Sequence, residues 1–244
     1  MTDIEINELD RLRFMVMTEK FNTGTSRTNN EEMDKNGYVV VKNLWDPEEL
    51  YHPLPQERGE FHYCGSVDKF NHKGDEYQVP GSLARYSHPQ YKIIHSGVRK
   101  KIEKVIGRKL YNTYYYDRFY FPDQELKKHV DRPACEISVS IHVSTNLEEE
   151  WPIWFKTPDI YVDKEKTAIL VPGEERSCIL NPGDGVIYKG CERPHWRDPM
   201  PTPRVRKRDK LLRRKLPEYY YHQIFFHYVL ADGQRSHHAN DMAS

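Results

Sequence analysis

The residues whose types and spacing point most directly to chemistry are a histidine and an aspartate one residue apart, His129 and Asp131. The residues after them alternate as they do in a β-strand. Because side chains i and i+2 of a strand point to the same face, the two could bind one metal ion from one side. A third candidate ligand, His195, follows a predicted strand that ends near Lys189. Two histidines and one carboxylate form the facial triad typical of non-haem Fe(II) sites.

Three protein ligands would leave three coordination positions open, enough for a bidentate 2-oxo acid and dioxygen. A structural metal site is closed instead. The chain has 12 histidines, so a histidine-x-aspartate tripeptide also arises by chance on a loop. The context favours the metal: the pair opens a strand-rich segment, and His195 follows a glycine-aspartate turn and a strand.

The first part of the chain has helical signals. Residues 3–20 have loose helical periodicity, and Asp46-Pro47 is a typical helix start. The amphipathic pattern that begins at Tyr91 predicts a helix closed by Gly107. Residues 51–88 show little periodicity and predict a long irregular segment.

From residue 111 onwards the period changes to two, which indicates short strands separated by turns. Many short strands after a helical part predict a mainly β fold with packed helices (α+β), a jelly roll or double-stranded β-helix. We expect a single domain over 1–244. Its parts would be an N-terminal helical extension, a core of helices plus double-stranded β-helix, and a polar tail, at 1–35, 36–233 and 234–244.

Composition limits the possible settings of the protein. Lys and Arg number 37, as do Asp and Glu, so the net charge gives no general case for nucleic acid. Four widely spaced cysteines predict free thiols in a reducing compartment. The N-terminus has no apolar core of a secretory signal, and no apolar run is long enough to span a membrane. We therefore expect a cytoplasmic protein.

The basic run Arg204–Lys215 has three possible interpretations. It could be a solvated loop, a lid or substrate-docking loop beside the site, or a nucleic-acid contact. The balanced net charge does not favour the last of these.

The sequence resembles the Fe(II)/2-oxoglutarate-dependent dioxygenases, and within them the prolyl-hydroxylase-like branch. The resemblance covers roughly residues 34–233. The segments that carry it are NGYVVVKNLWDPEEL, YDRFYFPDQELKKHVDRP, GDGVIYKGCERPHWRDP and HQIFFHYVLADG. It implies a double-stranded β-helix, iron bound by His129, Asp131 and His195, and 2-oxoglutarate as cosubstrate.

The resemblance also implies a cation for the far carboxylate of 2-oxoglutarate, about nine residues after the distal histidine. Arg204 stands at that place but begins the basic run, and the strand YYYHQIFFHYV after that run has no Arg or Lys. Arg197 is the preferred alternative, because it would share the face of His195 in an extended chain; the other interpretation of Arg197 is a surface salt bridge to Asp198 or Glu192. Tyr120 matches a tyrosine that hydrogen-bonds the cosubstrate in prolyl hydroxylases.

The implied activity is hydroxylation of a C–H bond, possibly of a prolyl or other amino-acid residue, in a peptide or a small molecule. It would use Fe(II), 2-oxoglutarate and dioxygen (O2), with ascorbate as a supporting reductant. Two alternatives remain: a non-catalytic jelly-roll binding protein, and an oxygenase directed to nucleic acid by residues 204–215. Ser138, Ser140 and His142 would line the pocket if their strand face is the inner one, although His142 could be an ordinary core histidine.

Overall fold

The computed structural model describes residues 4–5, 26–55, 78–164, 167–202 and 219–241. Within these ranges the chain forms three α-helices and thirteen β-strands. The helices are α1 (Glu31–Asn36), α2 (Pro47–Leu50) and α3 (Tyr91–Ile106). The strands are β1 (Ile4–Glu5), β2 (Tyr38–Val41), β3 (Leu83–Tyr86), β4 (Leu110–Tyr120), β5 (Leu126–His129), β6 (Ile137–Thr145), β7 (Ile153–Lys156), β8 (Ile160–Lys164), β9 (Thr167–Val171), β10 (Glu175–Cys178), β11 (Gly185–Tyr188), β12 (His195–Arg197) and β13 (Tyr221–Leu230).

Two antiparallel sheets pack face to face. The major sheet has the strand order β2-β11-β6-β13-β4-β3, and the minor sheet has the order β10-β7-β12-β5. Their inner faces meet where Ile153 and Phe155 of β7 pack with Val186 and Tyr188 of β11. A separate three-stranded sheet has the order β1-β9-β8. The predicted double-stranded β-helix with packed helices is confirmed.

The period-two pattern of β6 separates a hydrophobic core from the interior between the sheets. Its odd-numbered residues Ile137 to Val143 are buried on the outer face of the major sheet, in a core shared with α3. That helix contributes Ile94, Val98, Ile102 and Ile106, one amphipathic stripe. The even-numbered residues Ser138, Ser140 and His142 therefore face the minor sheet. The sequence pattern predicted this division.

Local signals fix several element ends as predicted. The Asp46 side chain accepts a hydrogen bond from the Glu48 amide at 3.0 Å and caps α2, with Pro47 as its first residue. Gly107 ends α3 in the left-handed region, at φ 64°. A glycine takes this conformation without the steric cost that a side chain would add.

Two expectations differ from the structure. Leu83–Tyr86 forms β3 inside the segment expected to be irregular, because its backbone pairs with β4. Ile4 and Glu5 form a strand on β9 where loose periodicity suggested a helix. The remainder of the N-terminal prediction, residues 6–20, lies outside the described residues, as do 56–77 of the irregular segment.

The polar C-terminal tail is attached to the body. The Asn240 amide donates to the Asn112 carbonyl at 2.8 Å, and Arg132 pairs with Asp241 at 2.9 Å. Across the described ranges, no helix combines the length and the apolar character needed to cross a membrane.

A buried charge cluster holds the outer face of the major sheet together. Asp117 of β4 accepts hydrogen bonds from Arg85 of β3 at 2.6 Å and from His222 of β13 at 2.9 Å. Arg85 also donates to the Tyr91 hydroxyl at 3.2 Å, which ties α3 to the sheet. Burial raises the pKa of Asp117, but its bonds to His222 and Arg85 outweigh burial and lower it below 3.8. The carboxylate therefore stays ionised and balances the buried guanidinium.

We predict that Asp117→Asn lowers the free energy of unfolding by about 3–5 kcal/mol, because it leaves the Arg85 charge buried without its counter-ion. Urea unfolding monitored by circular dichroism measures this loss. Asp232→Asn is the matched control, since Asp232 pairs with Arg108 at the surface. Equal losses in the two variants would contradict the importance of the buried pair.

Candidate metal and cosubstrate site

Two neighbouring strands of the minor sheet bring the predicted ligands together. Strand β12 pairs with β5 so that His195 lies opposite His129. His129 is the last residue of β5, and Asp131 lies two residues beyond it rather than within the strand. The Asp131 amide donates to the Gly190 carbonyl at 2.9 Å. Asp131 is therefore held by the segment after β11, in addition to its closeness to His129 in sequence.

The three side chains converge on one point. Oδ1 of Asp131 lies 3.4 Å from Nε2 of His129 and 3.6 Å from Nε2 of His195. The Nδ1 atoms of the same rings lie 2.7 Å and 3.0 Å from the carbonyl oxygens of Lys127 and Arg193. A carbonyl only accepts, so each Nδ1 carries a proton, and in the neutral ring Nε2 then presents its lone pair. This is the arrangement that metal-binding histidines adopt.

The electrostatics also suit a cation. Burial raises the pKa of Asp131, but the neighbouring His195 and hydrogen bonds from both histidines hold it well below 3.8. Burial lowers the pKa of His195, but Asp131 outweighs burial and raises it above 6.5. In the metal-free protein a proton on His195 thus partly replaces the missing positive charge.

The donor set therefore fits a non-haem Fe(II) ion. Two imidazole nitrogens and a carboxylate oxygen lie within 4.8 Å of one another, and they form the 2-His-1-carboxylate set. The Gln78 amide nitrogen lies 3.0 Å from Nε2 of His129. Because a metal needs that lone pair, this amide must turn away when an ion binds. The sequence gave no signal for Gln78, which follows a segment without periodicity.

Arg197 lies in the interior, two residues after His195. It is only 1 % exposed. Its guanidinium donates to the Trp151 carbonyl, to the Tyr221 hydroxyl at 3.3 Å and to Oε1 of Gln223 at 2.7 Å. Within the described part of the chain, no carboxylate pairs with Arg197, and its Nε has no hydrogen-bond partner.

A buried cation without a counter-charge is costly, and it suits an anionic ligand. The surface salt bridge to Asp198 or Glu192 that the sequence left open for Arg197 is wrong, because the side chain points inward. Arg204 and the basic run to Lys215 lie outside the described residues. The preference for Arg197 over Arg204 therefore stays a prediction.

Tyr120 faces the same interior. Its ring lies edge-on to Trp151, with centroids 5.1 Å apart. Its hydroxyl accepts a hydrogen bond from Arg118 at 3.2 Å. Tyr120 is thus near the Arg197 environment, and its contact with a cosubstrate stays a prediction.

His142 has the environment of a core histidine. Its Nδ1 donates to the Leu180 carbonyl at 2.7 Å, and its ring stacks on Tyr221 at 4.1 Å. Burial lowers its pKa to about 4, so the ring is neutral. Its predicted position on the inner face with Ser138 and Ser140 is correct.

Sequence reasoning missed two further interior residues, Arg118 and His227. Arg118 of β4 lies between the rings of Tyr116 and Tyr120, 5.3 Å and 5.4 Å from their centroids. His227 of β13 places Nδ1 2.9 Å from the Ser138 hydroxyl. The signal was available in the alternation of both strands, since Tyr116, Arg118 and Tyr120 share one face. In a tyrosine-rich strand that face was indistinguishable from a core face.

Comparison with solved structures identifies the fold. EctD from S. alaskensis with bound Fe superposes with a TM-score of 0.53 at 13% identity, over 85% of this chain and 82% of that one. The chain has the fold of the Fe(II)/2-oxoglutarate-dependent oxygenases. A Pseudomonas putida prolyl-4-hydroxylase matches with a TM-score of 0.46 at 11% identity, over 81% of this chain and 95% of that one. A Trichoplax adhaerens prolyl hydroxylase in complex with a hypoxia inducible factor peptide matches with a TM-score of 0.45 at 9% identity, over 91% and 94%.

At these identities the comparisons show the fold and not the reaction. No protein-family model matches the sequence, and no curated protein matches it. The resemblance to an oxygenase family is therefore confirmed at the level of the fold.

Gly190 tests the ligand geometry without altering a candidate ligand. A Cβ at this position would lie 2.5 Å from Oδ2 of Asp131 and 2.5 Å from the Ser138 hydroxyl. We predict that Gly190→Ala displaces the carboxylate and weakens Co(II) binding at least about tenfold, the scale seen when the surroundings of a metal ligand are altered. Isothermal titration measures the affinity.

Gly97→Ala is the control for this prediction, because its Cβ would meet only the ring of Trp45, on the helical side of the molecule. We expect its Co(II) affinity to equal that of the wild type. An unchanged affinity in Gly190→Ala would contradict the placement of Asp131 in the site.

Proposed function

We propose that the chain is an Fe(II)- and 2-oxoglutarate-dependent dioxygenase that hydroxylates a C–H bond of its substrate. The observation that carries the proposal is the convergence of His129, Asp131 and His195 at one end of a double-stranded β-helix. Bound iron would supply the activation of dioxygen, chemistry that protein side chains do not perform. The reaction converts substrate, dioxygen and 2-oxoglutarate into hydroxylated substrate, succinate and carbon dioxide.

The three ligands would fill one face of the ion's coordination sphere. His129 and His195 would each contribute Nε2, held in that tautomer by the carbonyls of Lys127 and Arg193. Asp131 would contribute Oδ1 and most of the charge balance. The open face would remain for the cosubstrate and dioxygen.

The interior between the sheets would hold 2-oxoglutarate. Arg197 offers a preorganised guanidinium to its far carboxylate, with Tyr221 and Gln223 fixing the direction of the fork. Tyr120 and Trp151 would form the wall of this pocket. Burial keeps water away from the ion pair, which makes the electrostatic attraction stronger.

The proposed substrate is a prolyl or other amino-acid residue, in a peptide or as a small molecule. This part rests on the prolyl-hydroxylase-like segments of the sequence. Proline-containing peptides and free amino acids, each incubated with Fe(II), 2-oxoglutarate and ascorbate, would distinguish these classes by a mass gain of one oxygen. The cytoplasm is the proposed location.

We predict that Asp131→Ala abolishes both iron retention and succinate release, because the ion loses its only anionic ligand. Metal content by mass spectrometry and succinate by coupled assay measure the two effects. Asp198→Ala is the matched control, an exposed aspartate three residues after His195. If wild type and Asp131→Ala retain equal iron, the ligand assignment fails.

We predict that Arg197→Lys weakens 2-oxoglutarate binding about 10–100-fold, the effect of losing a charge-assisted hydrogen bond of roughly 1.5–3 kcal/mol. A lysine retains the charge but loses the fork that matches a carboxylate. Binding is measured by titration of the Mn(II)-loaded protein.

Arg132→Lys is the control for Arg197→Lys, since Arg132 pairs with Asp241 rather than facing the site interior. Equal affinity in wild type and Arg197→Lys would assign the anchor elsewhere, with Arg204 as the next residue to change.

A further inference from the structure

The second oxygen of Asp131 has a built hydrogen-bond partner. While Oδ1 faces the two histidines, Oδ2 lies 3.1 Å from the hydroxyl of Ser138. The same hydroxyl lies 2.9 Å from Nδ1 of His227, on the adjacent strand β13. Ser138 and His227 are both buried. The three side chains thus form a chain of contacts that ends at the candidate metal ligand.

The chemistry of the groups sets the direction of these bonds. An ionised carboxylate only accepts, so the Ser138 hydroxyl donates its one proton to Oδ2 of Asp131. The hydroxyl oxygen must then accept from His227, whose proton is therefore on Nδ1. Nε2 of His227 is buried and has no hydrogen-bond partner among the described residues, which agrees with a lone pair at that atom. The carbonyl of Cys135, at 3.3 Å, is a more distant acceptor for the hydroxyl.

A carboxylate can bind a metal ion with one oxygen or with both. If both oxygens of Asp131 coordinated, the carboxylate would occupy one of the positions that 2-oxoglutarate and dioxygen need. A hydrogen bond to Oδ2 opposes this, because it holds that oxygen on the side away from the histidines. We propose that His227 is a positioning residue that acts through Ser138 to keep Asp131 a one-oxygen ligand. This inference rests on the proposed function.

The same region allows a competing assignment. Asp131, Cys135 and His227 also place ligand atoms within 4.8 Å of one another, and could hold a second ion. The observed contacts favour positioning: the Cys135 thiol lies 3.2 Å from the Tyr114 hydroxyl, and His227 uses Nδ1 for Ser138. Metal stoichiometry separates the two.

The test measures Co(II) binding by the metal-free full-length protein, without cosubstrate or turnover. We expect Ser138→Ala and His227→Leu each to weaken Co(II) binding about 10–100-fold, the usual effect of removing a partner of a metal ligand. The double variant should be no weaker than either single variant, because both changes break one chain. His227→Asn places an amide N–H near Nδ1 and should recover most of the affinity.

The visible absorption of bound Co(II) gives a second measurement. It reports coordination number, and we expect it to change in Ser138→Ala and His227→Leu and to return in His227→Asn. Ser140→Ala is the matched control: this hydroxyl lies two residues along the same face but contacts Tyr188, at 3.4 Å. It should bind Co(II) as the wild type does. Urea unfolding checks that each variant is folded.

Three results would overturn the inference while leaving the proposed function intact. These are wild-type affinity and spectrum in Ser138→Ala, additive losses in the double variant, and two Co(II) ions per wild-type chain of which Cys135→Ser loses one. Absence of Co(II) binding by the wild type would instead overturn the proposed function itself, and the inference with it.

Discussion

Every side chain of β13 is buried, and this constraint organises the rest of the structure. The strand lies between β6 and β4, so its two faces look into two different environments. Ile224, Phe226 and Tyr228 enter the hydrophobic core under α3. The polar residues on both faces have partners across the sheet, because an unsatisfied polar group there would cost the fold free energy.

The polar partners on the two faces serve different ends. On the outer face, His222 completes the ion cluster of Asp117 and Arg85, which joins three strands to α3. On the inner face, Gln223 holds Arg197 and His227 contacts Ser138. One strand thus carries both a structural charge cluster and the supports of the candidate site. Because the outer cluster balances its own charges internally, the inner arginine is the one left for an anion.

The sequence was most informative where chemistry and chain direction coincide. His129, Asp131 and His195 could be found because ligand residue types stood at strand ends beside turn signals. Arg118 and His227 could not be separated from core residues, because a strand buried on both faces gives the same alternation whether a polar group is packed or functional. Gln78 depends on tertiary contact alone. The fold class followed from the spacing of strands, whereas β3 did not, because only its pairing with β4 makes it a strand.

The position of β13 in the chain has a consequence for synthesis and folding. Strands β4 and β6 reach each other only through β13, about one hundred residues later than β4. Until residue 230 has left the ribosome, the major sheet exists as two separate parts, and the long loop between them must close late. The candidate ligands are all made earlier, but their supporting side chains arrive last. An early-released or truncated chain would therefore contain the three ligands while lacking the strand that orders them.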